Sequence, residues 1–245
     1  NGTTLTGYAP NALSSVAVQG VNVDGVGPLS VGAGAYTLAA DPAALTFVSV
    51  GSGTASLVWD GAGNTPGTVF RAQVSTDGAV YADVAAGTAT ALSLGSLLPS
   101  NTYYARVRAE NGNALLTAFS NVASTFTLPP LPEAPTAPVG AALSISAVSW
   151  SWAASSFSAG YEVVLSSNTA ELLAATTATA VTLTGFSPNQ PSAIVVRGVN
   201  VTGAGGLSPS ATRYTLAAAP TALDLVALTS ASATLGFQDR DGRRI

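Results

Sequence analysis

Residues 5–45 recur as residues 183–223, 178 positions later and without a gap. Leu5-Thr6-Gly7 returns as Leu183-Thr184-Gly185, Val21-Asn22-Val23 as Val199-Asn200-Val201, and Tyr36-Thr37-Leu38-Ala39-Ala40 as Tyr214-Thr215-Leu216-Ala217-Ala218. An internal period of this kind is the signature of an array, so the chain reads as a window on a string of repeated domains. The repeat constrains architecture far more than chemistry.

The local pattern is that of β-strands. Ala55, Leu57 and Trp59 alternate with Ser56 and Val58, and Val148, Trp150 and Trp152 alternate with Ser149 and Ser151. Period-2 alternation places one face of a strand in a core. Further strands are expected at 68–75, 89–94, 102–111, 160–167, 179–184 and 193–200, separated by Gly, Pro, Asn and Ser as in a sandwich. The helix-like stretch 169–175 is short and uncapped, and it reads as strand and loop.

The long period hides a shorter one. Trp59 aligns with Trp152, Phe70 with Tyr161, and Val107-Arg108-x-x-Asn111 with Val196-Arg197-x-x-Asn200, while Trp152 aligns in turn with Phe237. Each unit is therefore about 90 residues, and the drifting offsets place insertions in loops.

These residues resemble fibronectin type III. Pro42, Trp59, Phe70, Leu97-Leu98-Pro99-Ser100-Asn101-Thr102-Tyr103, Arg106-Val107-Arg108-Ala109-Glu110-Asn111, Ser120 and Thr127 follow the family's order. Pro135, Trp152, Tyr161, Phe186-Ser187-Pro188-Asn189, Val195-Val196-Arg197-Gly198-Val199-Asn200, Ser208 and Thr215 repeat it. The resemblance covers essentially the whole chain and implies an all-β fold of tandem fibronectin type III-like (immunoglobulin-like) β-sandwiches, two complete and two partial. It also implies that Tyr103 is the corner tyrosine, whose hydroxyl bonds to the loop preceding its strand. That tyrosine is replaced by Ser192 in the third domain and Ser14 in the first, so those corners are expected to be fixed otherwise, with Pro10-Asn11 and Pro188-Asn189 as candidate rigid turns.

The alignment sets boundaries: residues 1–38 as the C-terminal part of one domain, 40–128 and 133–217 as full domains, and 218–245 as the N-terminal part of a fourth. A Pro-rich linker, 129–138, is expected to be stiff polyproline II, whereas the other junctions are short. A partial sandwich exposes unpaired backbone and half a core. Completion is expected from adjacent domains of the same longer chain, or from other copies joined head to tail into a filament; the two partial ends together lack the strands equivalent to 70–84.

Composition excludes much chemistry. The chain has no His, Cys or Lys, so the usual general base, thiolate and amine nucleophile are missing and a common zinc site or Ser triad cannot be assembled. Two carboxylates could in principle cleave a glycoside, but the twelve acidic residues show no paired pattern. No cofactor is expected. A net charge of −4 with eight dispersed Arg gives no basic stripe for nucleic acid, and no segment reaches the ~18 apolar residues of a membrane span.

The remaining motifs are weak. Asp239-Arg240-Asp241-Gly242 opens like a calcium loop but lacks the later ligands, so it reads as a charged loop. Asp24-Gly25 and Asp77-Gly78 read as turns, and Trp59, Trp150 and Trp152 as core. If Tyr103, Ala105, Val107 and Ala109 face inward, then Tyr104, Arg106 and Arg108 face outward with the aligned Arg197, and an aromatic beside arginines could stack on a sugar or a partner sheet. Asn1-Gly2-Thr3 and Asn200-Val201-Thr202 match the N-glycosylation pattern. The expected role is a non-catalytic structural segment of an extracellular or surface repeat protein; a carbohydrate-binding or adhesive accessory module of a secreted protein is the alternative.

Overall fold

The computed structural model describes residues 2–220 and 222–238, and among them every regular element is a strand. The acidic loop beginning at Asp239 lies outside the described residues. Contacts divide the chain into two compact units, Asn1–Pro129 and Pro130–Ile245.

The first unit opens with β1 (Leu13–Val16), β2 (Gln19–Asn22), β3 (Gly25–Leu29) and β4 (Ala33–Tyr36), in which β1 pairs with β4 and β2 with β3. A sandwich follows, built from β5 (Ala43–Val50), β6 (Ala55–Asp60), β7 (Val69–Ser75), β8 (Ala82–Gly87), β9 (Ala91–Leu94), β10 (Thr102–Glu110) and β11 (Ala123–Phe126). Its sheets are β5-β6-β9 and β11-β10-β7-β8, all antiparallel. This three-on-four arrangement, crossing between sheets from β6 to β7 and from β8 to β9, is that of a fibronectin type III-like sandwich.

Alternation explains why the sheets face each other. Along β10 the residues Tyr103, Ala105, Val107 and Ala109 are buried, and their neighbours are half-buried on the other face. Ala105, Val107 and Ala109 meet Leu57, Trp59 and Phe70, with the Trp59 and Phe70 rings edge to face at 6.0 Å.

The second unit repeats the plan. Its strands are β12 (Val139–Ala142), β13 (Ala147–Ser151), β14 (Gly160–Leu165), β15 (Asn168–Thr176), β16 (Ala180–Thr184), β17 (Pro191–Asn200), β18 (Gly203–Leu207), β19 (Ala211–Tyr214), β20 (Ala222–Leu228) and β21 (Ala233–Gln238). One sheet is β12-β13-β16; the other runs β15-β14-β17-β18, with β19 also on β17. Trp150, Trp152, Tyr161, Val163 and Ile194 fill the space between them, and Trp152 meets Tyr161 at 5.5 Å. All three tryptophans are core residues, as their alternation implies. The short helix-like stretch is entirely strand, inside β15.

The repeat permits a direct comparison of what a missing sheet does. Ile194 and Val196 are fully buried in the third sandwich, whereas their counterparts Val16 and Val18 are 41% and 70% exposed. Among the described residues the counterpart of β17 is split into β1 and β2, each with a single partner strand, and no second sheet packs over them.

The Pro-rich stretch does not stand free as a spacer. Pro132, Pro135 and Pro138 are buried at the three-residue spacing of polyproline II, and Pro132 packs against Gly198 and Gly205 of β17 and β18. The Glu133 amide donates to the Ser156 carbonyl at 3.1 Å. Fixed φ and the absence of amide donors let these prolines pack on the face of the sheet without requiring backbone partners.

The corners show how the tyrosine is replaced. Asn11, Ser100 and Asn189 all adopt a left-handed conformation with φ near +50°, and each donates its amide to a leucine carbonyl, of Leu38, Leu128 and Leu216. The rigid turn is thus common to all three domains and cannot be the substitute. Thr37, Thr127 and Thr215 clasp each turn, donating to Ala9, Leu98 and Ser187 carbonyls at 2.7 Å. What differs is one amide. In the second domain Leu98 donates to the Tyr103 hydroxyl at 2.8 Å, and in the third the aligned Ser187 donates to the Gln190 carboxamide at 2.6 Å.

Candidate functional site

The outward-facing residues of β10 form a connected face with β7 and β8. Strand register sets Arg106 opposite Gln73 and Arg108 opposite Arg71. Arg106 donates through Nε to Gln73 at 2.8 Å, and Gln73 donates to Asp83 at 2.9 Å. Two arginines facing each other across strands would repel, and Arg71 avoids this by pairing diagonally with Glu110. The Glu110 carboxylate holds the Arg71 guanidinium above its ordinary pKa, first by hydrogen bonding and then by charge.

Aromatic rings complete the face. The Arg106 guanidinium lies 3.9 Å from the ring centres of both Tyr81 and Phe119, and Arg108 lies 4.7 Å from Phe119. Each such contact is worth ~0.5–1 kcal/mol at a partly exposed site. Arg108 Nε is buried and has no hydrogen-bond partner among the described residues.

Tyr104 does something else. Its ring packs on Gly78, at the turn between β7 and β8, where Asp77 accepts amide bonds from Ala79 and Val80 and Gly78 has φ +73°. Those amides and the Ser75 hydroxyl hold the Asp77 carboxyl at a pKa of about 2.

The structure therefore brings Tyr104, Arg106 and Arg108 onto one face of the first unit. Arg197 belongs to the second unit, where it pairs with its cross-strand neighbour Glu162 at 2.7 Å. Sequence reasoning missed Tyr81 and Phe119, because both lie just outside strands and only folding returns them to β10. With two rings at 3.9 Å, the Arg106 guanidinium is already engaged by the protein's own aromatics rather than offered as a bare stacking surface.

A second feature of the first unit is a joint between the opening strands and the sandwich. Among the described residues, six hydrogen bonds cross it. Buried Asn11 donates to Thr68 Oγ1 at 2.8 Å and accepts from the Gly112 amide at 2.8 Å, while Asn111 donates to the Thr37 carbonyl at 3.1 Å. Asn113 accepts from the Tyr36 amide, and Thr65 bonds to Pro10 and Asn11 through its amide and hydroxyl. Buried carboxamides that both donate and accept fix orientation, because an alternative geometry would leave buried polar groups unsatisfied.

In the second unit the aligned asparagine ties down that unit's own Pro-rich stretch. Asn200, aligned with Asn111, donates to the Pro130 carbonyl at 2.7 Å and the Phe157 carbonyl at 2.9 Å, and its oxygen accepts from the Thr202 amide. With its amide hydrogens engaged, Asn200 is a poor acceptor for a glycan despite its tripeptide.

No protein-family model matches the chain. Over 190 residues it is 31% identical to endoglucanase B of Cellulomonas fimi, which takes in 73% of this chain and 18% of that protein. The chain thus spans about a fifth of the length of that relative. Among solved structures, the FN1-FN3 domains of chicken CNTN1 match 84% of this chain and 77% of that chain at 19% identity, with a TM-score of 0.47.

Proposed function

We propose that this chain is a non-catalytic spacer: a segment of an extracellular fibre or large surface repeat protein in which head-to-tail sandwiches set reach and braced joints set stiffness. The observation that carries this reading is the six-bond joint centred on Asn11, together with the tie of Asn200 to the Pro-rich stretch. A spacer whose domains only needed tethering would use a flexible Gly/Ser linker, not buried carboxamides.

The exposed valines at the end of β1 and just after it fit the same reading. Val16 and Val18 occupy positions that are buried wherever an opposing sheet is present, so we assign their cover to adjacent sandwich strands, from the same longer chain or from other copies of it. Light scattering on the 245-residue chain separates the two sources: concentration-dependent growth supports copies, whereas a monodisperse 24.1 kDa monomer excludes them.

The similarity to part of an endoglucanase favours one alternative, an accessory module of a secreted polysaccharide-degrading protein, with the Arg106 face meeting glycan hydroxyls. Residual dipolar couplings test the spacer reading, which predicts a single alignment tensor for residues 8–38 and 43–126; independent tensors would overturn it. A cellulose pull-down tests the alternative, with retention abolished by Arg106→Ala as the supporting result.

A further inference from the structure

The repeat presents one corner twice, and among the described residues one copy is docked while the other is bare. Pro10, Asn11, Tyr36 and Thr37 recur as Pro188, Asn189, Tyr214 and Thr215. The two corners are built alike. Asn11 and Asn189 have φ of +53° and +56°, their amides donate to the Leu38 and Leu216 carbonyls at 3.1 Å, and Thr37 and Thr215 clasp the turn. Their surroundings differ. Asn11 is 5% exposed, held between Thr68 and Gly112 of the next sandwich, whereas Asn189 is exposed and Tyr214 is 53% exposed.

The second corner therefore offers the groups that the first one uses. In the first joint the asparagine carboxamide donates and accepts, the tyrosine amide donates, and the carbonyls at Pro10, Asn11 and Thr37 accept. The same groups stand at Pro188, Asn189, Tyr214 and Thr215, on a turn already fixed by its own hydrogen bonds.

The turn that receives such a corner is selective. At Gly112, between Asn111 and Asn113, the Tyr36 ring occupies the space a β-carbon would need. The third sandwich has Val201 at the aligned position, between Asn200 and Thr202, so its turn is closed to a tyrosine by overpacking. The second sandwich, which precedes that turn in sequence, carries Ser100 and Phe126 in place of Asn11 and Tyr36. Corners with Asn and Tyr thus go with a Gly turn, and the corner without them goes with a Val turn and a Pro-rich stretch.

We propose that the corner formed by Pro188, Asn189 and Tyr214 is a docking surface for a sandwich of the second kind, one that presents an Asn-Gly-Asn turn beside a Thr-x-x-Thr loop. A sandwich with valine in that turn is refused, so the turn residue sets the order in which sandwiches follow one another. The inference rests on the spacer reading and supplies its rule of succession.

The test extends the array by one sandwich. A second copy of residues 41–128 follows Ala218 in place of the terminal hairpin, which recreates the Ala39-Ala40-Asp41-Pro42 junction. Relative to the 245-residue chain, hydrogen exchange of the Tyr214 amide is expected to slow by about tenfold or more. Gly112→Val in the appended copy should return that amide to its original rate while the appended Val107 and Ala109 amides stay protected. Should this variant misfold, Tyr214→Ala reads the same contact from the other side, through faster exchange of the appended Gly112 amide. Tyr214 exchanging at its original rate beside a folded appended sandwich, or protection that survives the substitutions, overturns the proposal. Tyr36 separates the two readings: if its amide is protected and that of Tyr214 is not, this inference fails alone, and if both exchange freely, the spacer reading falls with it.

Discussion

The ring of Tyr36 rests directly against the α-carbon of Gly112, leaving no room there for a β-carbon. The glycine lies in the loop after β10 and the tyrosine ends β4, so one missing methyl group allows the opening strands to seat on the sandwich. Gly112→Ala is expected to push Tyr36 outward and weaken the joint by ~1–3 kcal/mol, the usual range for overpacking. Hydrogen exchange checks it: the amides of Asn11 and Tyr36 should exchange faster, while those of Val107 and Ala109 in the sandwich core should not change.

The two corners predict separable effects. Tyr103→Phe keeps the ring and removes the acceptor for the Leu98 amide, and Gln190→Ala does the same for Ser187. Each should cost ~0.5–1.5 kcal/mol in urea unfolding, with the first lowering only the transition of the first unit and the second only that of the other. Equal effects on both transitions would contradict the assignment.

The arginine stack predicts a local, modest loss. Phe119→Ala removes ring contacts from both Arg106 and Arg108, and a destabilisation of ~1–2 kcal/mol is expected from two cation–aromatic contacts. Tyr81→Ala removes one contact and should cost about half as much. Thermal unfolding of the two variants reads the ratio.

Acid should loosen the turn between β7 and β8 before the sandwich unfolds. The Asp77 pKa is lowered from the ordinary 3.8 to about 2 by the Val80 and Ala79 amides and the Ser75 hydroxyl. Depression of a carboxyl pKa means that the folded state favours the ionised form, so the stabilisation is fully present above the ordinary value and is lost as pH falls from about 4 through about 2. The Val80 amide shift, followed between pH 5 and 1.5, should titrate with that midpoint, and Asp77→Asn should remove the titration.

Some of the surface was legible and some was not. Tyr104, Arg106 and Arg108 could be placed on one outward face because strand alternation is a property of neighbours in sequence. Their partners could not. Tyr81 and Phe119 come from loops whose approach to β10 depends on register and loop path, and Arg71 chooses Glu110 over its direct neighbour because of which charges pairing brings opposite one another. The Pro-rich stretch was legible only in part: its composition signals polyproline II, but whether that helix spans solvent or packs on a sheet depends on the glycines of β17 and β18 that it meets.

What the sequence determined by itself was the unit and its repetition. The 178-residue period, the alternation around Trp59 and Trp152, and the Pro-led corners specify tandem sandwiches through local pattern and self-similarity. Tertiary structure alone decided where the opening strands are braced and which corner amide Gln190 caps. These depend on side chains from strands and loops distant in sequence meeting at fixed distances, and a hydrogen bond exists only once the packing that surrounds it does.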